Sequence, residues 1–246
     1  HPAVPVHSDS PFPSTGGAIP ENYSHFTDPY IALARASGVT STIKLCTGIT
    51  LVPERNPLLL AKEIAVLDRV SGGRFVFGIG TGWLREETEL MGGDFDHRWT
   101  QTREAIEVMK ELWTKEEAEY HGRYFDFPLV RSYPKPIQKP HPPLARACLS
   151  DDSIVSMGQI ARPVLFRGRS IEASGKSISL YRETMESSGF DEAAVENALD
   201  NSWFWFEAHL AETDDEALDR FMPASEQAGR HVAEMRERWN PKDQEV

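Results

Sequence analysis

The chain is poor in everything that would mark a secreted, membrane-spanning or nucleic-acid-binding protein. Of 246 residues only two are cysteine, Cys46 and Cys148, so no disulfide framework is available and a reducing, cytoplasmic setting is expected. No apolar run is long enough to cross a bilayer and no signal peptide is visible, so no membrane partner is expected. Positive charge is scarce. The 26 Lys and Arg stand against 38 Asp and Glu, a formal net charge of -12, which argues against nucleic acid and anionic membrane surfaces. Much of the acidic excess falls between Glu183 and Asp219 and reads as solvated helix faces. The histidines show no H-x-H or H-E-x-x-H spacing, so no metal site is expected. The serines lack a G-x-S-x-G elbow, which disfavours hydrolase chemistry. The first residue is His1, not Met, so the native start is expected to be missing or processed away.

What the chain does have is an alternation of strand-like and helix-like segments, long enough for one α/β domain over residues 1–246. Residues 1–27, rich in Pro, Ser, Gly and His, read as a loop. Asp28 is placed to cap a helix from Pro29 to Ser37 that Gly38 ends. Alternating Ile43, Leu45, Thr47, Ile49 and Leu51 predict a strand over 42–52. Asn56 caps a predicted helix from Pro57 to Val70, stopped by Ser71-Gly72-Gly73. Phe75 to Ile79 predicts a buried strand that ends in glycines at alternate positions, Gly78, Gly80 and Gly82. Glycines at the carboxyl end of a parallel strand let a ligand lie against bare backbone, although G-x-G-x-G is not the dinucleotide G-x-G-x-x-G. A helix is predicted from Asp96, with Trp99, Ile106, Met109 and Trp113 on one stripe. An aromatic and proline-rich insertion at about 119–143 suggests a hairpin. Beyond it come a strand over 144–149, helices over 151–161, 177–188 and 191–199, a strand over 202–210 and a helix over 214–239. This order implies a parallel sheet, open or closed into a (β/α) barrel, in which about five of eight strands are identifiable.

The run Asn56-Pro57 to Arg74, followed by Gly78-Ile-Gly-Thr-Gly-Trp83, resembles the bacterial luciferase-like monooxygenase superfamily, closely from Asp28 to Leu144 and more loosely from Ser150. The resemblance implies a TIM barrel, incomplete at the amino end and perhaps at the carboxyl end, using reduced FMN or the deazaflavin coenzyme F-420. It implies oxygenation of a small organic substrate by a flavin member, or hydride transfer by a deazaflavin member. Trp83-Leu-Arg-Glu-Glu87 and Pro140-His-Pro-Pro143 resemble the branch assigned to coenzyme F-420. A separate reductase supplying reduced cofactor, and a homodimer, are the expected partners. By the same resemblance Thr47, Gly48, Ile49, Gly80, Thr81, Gly82 and Ser150 are candidate cofactor contacts, and Trp83 a candidate wall of the substrate pocket. A non-proline cis peptide is implied at Gly48–Ile49, at a cost of about 3–4 kcal/mol.

Two departures stand out. The second barrel strand is expected before His1, leaving His1 as the tail of the motif that follows it. The glycine pair many members carry after strand five is replaced by Ala147-Cys148-Leu149-Ser150, where Ser150 and Ser153 remain candidates for binding phosphate at a helix start. Trp83 stands where some deazaflavin dehydrogenases carry a catalytic acid, which disfavours a sugar-phosphate dehydrogenase. His25 is the candidate catalytic residue; His1 and His7 lie in the early loop. Glu86 and Glu87 read as helix-start carboxylates, Arg85 as a contact for an anionic tail, and Cys46 as a small core residue. The competing readings are a nicotinamide-dependent α/β enzyme, a non-catalytic barrel that binds flavin or a protein, and a fragment of a longer enzyme.

Overall fold

A computed structural model describes residues 1–13, 16–168, 170–206 and 209–239. They form two compact units, one of 27–82 and 88–206, the other of 1–26, 83–87 and the described part of 207–246. In chain order the strands are β1 (Leu45–Cys46), β2 (Thr50–Leu51), β3 (Phe75–Gly80), β4 (Ala118–His121), β5 (Asp126–Val130), β6 (Leu144–Cys148), β7 (Val164–Arg167) and β8 (Trp203–Trp205). The helices are α1 (Pro29–Ser37), α2 (Pro57–Val70), α3 (Arg85–Leu90), α4 (Arg98–Thr114), α5 (Asp151–Gly158), α6 (Ile171–Ser187), α7 (Glu192–Asp200) and α8 (Asp214–Trp239).

The larger unit is built on a six-stranded sheet in the order β1-β3-β6-β7-β8, with β2 also paired to β3 and every ladder parallel. Side chains alternate across a strand. Phe75, Phe77 and Ile79 therefore share one face and meet Leu60 and Ile64 of α2 and Ile106, Met109 and Trp113 of α4 in one core cluster. A second cluster on the same helix-covered face joins Val164 and Phe166 to Ile154 and Met157 of α5, Tyr181 and Met185 of α6 and Val195 of α7. Gly78 and Gly80 fall on the other face. The sheet curls strongly, since the Lys44 ammonium ahead of β1 lies 5.2 Å from the ring centre of Trp203 in β8 at the far edge. This is the α/β, TIM-barrel class of fold expected from the alternating segments.

Caps explain the helix boundaries. Asp28 accepts from the backbone N–H of Tyr30 and Ile31, and Asn56 from those of Leu58 and Leu59, so α1 and α2 start where the sequence predicts. Gly72 and Gly73 take φ of 68° and 80° and turn the chain into β3. The long motif from Asn56 to Arg74 is then accounted for by packing at the amino end of β3. The Arg74 guanidinium donates to the carbonyls of Ser37, Thr40, Ile43 and Ser71. The fully buried Asp68 carboxylate accepts from the backbone N–H of Ile137 and Gln138 and from Gln138 Nε2, fastening the proline-rich segment to α2. Upstream of that segment β4 and β5 form an antiparallel hairpin.

Several elements differ from expectation. The predicted strand over 42–52 is two short pieces, because Thr47 replaces ladder bonds with side-chain bonds: its hydroxyl donates to the Gly78 carbonyl at 3.0 Å and accepts from the Gly78 N–H at 3.1 Å. The helix predicted from Asp96 starts at Arg98, after Asp94 has accepted from the His97 N–H. Ser170 caps α6 and starts it well before Ser177. Strand β7, between Pro163 and Gly168, was too short to show periodicity. The strand predicted over 202–210 is confined to Trp203–Trp205, and residues 207 and 208 lie outside the described residues.

Candidate functional site

In the larger unit the carboxyl ends of β1–β2 and β3 carry most of the residues that the resemblance singled out. The glycines of β3 are not left bare for a ligand. A Cβ on Gly78 would sit 2.3 Å from the Thr47 carbonyl oxygen and 2.9 Å from that of Gly48, and one on Gly80 would sit 2.8 Å from Ile49 Cδ1. The glycine column is the socket for the 47–49 segment, and Thr47, fully buried, pins it there. What faces outward is the back of this segment. A Cβ on Gly48 would meet nothing within 4 Å, and Ile49 is 44% exposed although large and apolar. Gly48 and Ile49 thus present a firm, flat, apolar platform. The expected cis bond is not there: Gly48–Ile49 is trans, the cis bonds of the described residues being Tyr133–Pro134 and Lys139–Pro140. The open space around Gly48 gives no packing that would impose the costlier isomer.

At the end of β3, Gly80 and the buried Thr81 line a cavity of about 400 Å³ that no residue of 47–49 lines. The Thr81 hydroxyl has no hydrogen bond among the described residues. Gly82 has φ of 80°, and a Cβ there would press on Glu54 Oε1 at 3.2 Å, so only glycine allows the exit from β3. Ser150 does not line this cavity. Its hydroxyl caps α5 in a reciprocal box with Ser153 and is occupied by that bond. Cys46 is half-buried, and burial pushes its thiol up to about 11, which keeps it protonated and unsuited to nucleophilic attack at neutral pH.

The smaller unit holds the titratable pair that sequence reasoning underrated. His1 Nδ1 is hydrogen-bonded to Glu87 Oε2, and the Ala3 N–H donates to Glu87 Oε1. Glu87 is 0% exposed, and burial raises its carboxyl above the ordinary range. Around the imidazole stand Tyr23 and Trp83, with ring centres 5.1 Å and 6.0 Å away, and Phe12 packs on both aromatics. Trp83 is therefore the floor of an aromatic cluster about His1. Neighbouring Glu86 accepts from the Asp9 and Ser10 N–H groups. Burial acts to raise its pKa, but hydrogen bonds, from the Ser10 side chain foremost and from the backbone, outweigh it and hold it at about 2. The two carboxylates, read from sequence as dipole partners at a helix start, bind the early loop. Nothing in local sequence couples residue 1 to residue 87. The only signal was the resemblance that made His1 the tail of a motif. His25, the candidate catalytic residue, is exposed at the end of the 3-10 turn Glu21–His25, His7 is exposed, and Arg85 is half-buried at the start of α3.

The comparisons bear on these geometries. An uncharacterized protein of Mycobacterium tuberculosis is 42% identical over 146 residues, covering 58% of this chain and 51% of that protein. The oxygenase component of the flavin-dependent trigonelline monooxygenase of Acinetobacter baylyi is 34% identical over 133 residues, covering 53% of this chain and 36% of its own length. The crystal structure of the monooxygenase RslO1 from Streptomyces bottropensis superposes with a TM-score of 0.69 at 29% identity, over 89% of this chain and 64% of that one. The chain thus spans about half the length of the first of these relatives and less of the second. The family model for luciferase-like monooxygenase matches residues 15–245, and the chain belongs to that family.

Proposed function

We propose that this chain supplies the ring-binding and proton-handling parts of a monooxygenase that uses reduced FMN and molecular oxygen to oxygenate a small organic substrate. The observation that carries this reading is the Gly48–Ile49 platform, a pinned apolar surface suited to the face of a flavin ring. Flavin, when bound reduced, would supply the reaction with oxygen. Ile49 and the Gly48 backbone would hold the ring face, and the Thr81 hydroxyl would bond its edge. Thr47 keeps the platform from yielding. Glu87 fixes the His1 tautomer through Nδ1, which leaves Nε2 to hold or release a proton, while Phe12, Tyr23 and Trp83 exclude water around it. FMN is preferred to coenzyme F-420 because the Acinetobacter relative is flavin-dependent. Since that relative is an oxygenase component, a separate reductase is proposed to deliver the reduced flavin.

Titration of the purified chain with FMN and with coenzyme F-420, followed by fluorescence, tests the reading. FMN is expected to bind, and Ile49→Asp to weaken binding at least tenfold with an unchanged far-UV spectrum. Binding of coenzyme F-420 alone would replace oxygenation by hydride transfer. Binding of neither by a folded chain would overturn both.

A further inference from the structure

The same cavity that touches Gly80 and Thr81 runs along the helix-covered face of the sheet, in the seam between the two core clusters, where it is walled by α4 and α5. Its polar lining is one-sided. Arg103, Arg146 and Arg162 line it, and no Asp or Glu does, in a chain whose formal net charge is -12. Among the described residues none of the three forms an ion pair. Arg146 projects from the middle of β6, a place that packing alone would give to an apolar side chain. Its guanidinium lies 4.2 Å from the ring centre of Trp99 and reaches the Met157 sulfur at 3.9 Å, while its Nε is buried without a hydrogen-bond partner. Thr102, 4% exposed, lines the same cavity, and its hydroxyl is likewise buried and unpartnered. Burial and the charge of Arg146 both push the Arg162 pKa down, so like charges share this wall.

Two orphaned polar atoms beside two half-buried, unneutralised guanidinium groups, Arg146 and Arg162, are costly unless an anion satisfies them; Arg103 is exposed and adds positive charge at the rim. Apart from Thr81 and Ser156 the remaining lining, with Ile106, Met157 and Ile160, is apolar. We infer that this cavity is a binding site for a small organic anion, its carboxylate held by Arg146, Arg162 and the Thr102 hydroxyl and its hydrocarbon part against Ile106, Met157 and Ile160. Its anion-holding residues are distinct from Gly48, Ile49 and Thr81, which the cofactor reading uses, so the inference does not depend on that reading. Guanidinium groups suit a carboxylate because they donate two parallel hydrogen bonds.

Calorimetric titration of the purified chain with sodium hexanoate and with inorganic phosphate tests this. Hexanoate is expected to bind once per chain, more tightly than phosphate, and at least tenfold more weakly to Arg146→Met and to Thr102→Val. Thr102→Val removes an unpartnered hydroxyl and is expected to fold at least as well as the parent, so it decides the matter if Arg146→Met unfolds. Saturating FMN is expected to leave hexanoate affinity unchanged. Absence of hexanoate binding, tighter binding of phosphate, parent-like binding by Thr102→Val, or displacement by FMN would each overturn the proposal.

Discussion

A methyl group added at position 78 has nowhere to go, since it would lie 2.3 Å from a backbone carbonyl oxygen that cannot rotate aside. Gly78→Ala is therefore expected to lose about 3 kcal/mol or more, the upper range for overpacking, and to release the 47–49 segment. Urea denaturation measures the loss, and FMN affinity should fall with it. Glu86 makes a second prediction at this scale. Its carboxyl falls from an ordinary 4.5 to about 2 on folding. The stability it contributes is present above about pH 4.5 and is lost as pH falls toward 2, because the unfolded chain then binds the proton first. Glu86→Gln should flatten the acid limb of the stability curve over that window, which thermal melts at stepped pH would show. Both residues were visible in the sequence, but their roles were not. The glycines read as bare backbone for a ligand, and the glutamates as dipole partners, because the groups they meet lie far away in the chain.

Helices with strong end signals were legible to the residue. Asp28 and Asn56 accept the first free N–H groups of α1 and α2, so these boundaries are local matters. Short strands were less so: β1 and β2 fall inside the single strand that periodicity predicts over 42–52, which Thr47 interrupts, while β7 is not predicted and owes its existence to its partners. The proline-rich segment shows how one side chain can hold an element in place. Asp68 gathers three hydrogen bonds from Ile137 and Gln138 while fully buried. Asp68→Ala leaves these donors unsatisfied and is expected to cost about 2–3 kcal/mol. Hydrogen exchange should accelerate at Ile137 and Gln138 before it does in α2. Uniform acceleration across the larger unit would show instead that Asp68 serves the fold at large.

At the scale of the whole molecule, the curl of the sheet brings its edges together through Lys44 and Trp203. Because Lys44 is exposed, that contact is worth about 0.5–1 kcal/mol, and Lys44→Ala should lower the unfolding free energy obtained from urea denaturation by that amount without altering the far-UV spectrum. Local chemistry determined much of this protein: its class, the capped helices, the glycine-punctuated exit of β3, and the family to which the motif from Asn56 to Trp83 belongs. Tertiary structure alone decided that the glycine column holds the 47–49 segment, that His1 pairs with Glu87, and that Arg103, Arg146 and Arg162 line one cavity. Caps and turns act between residues a few positions apart and leave a spacing that can be read. Close approach of distant backbone and the pairing of buried charge depend on which surfaces the fold brings face to face, and no spacing along the chain encodes that.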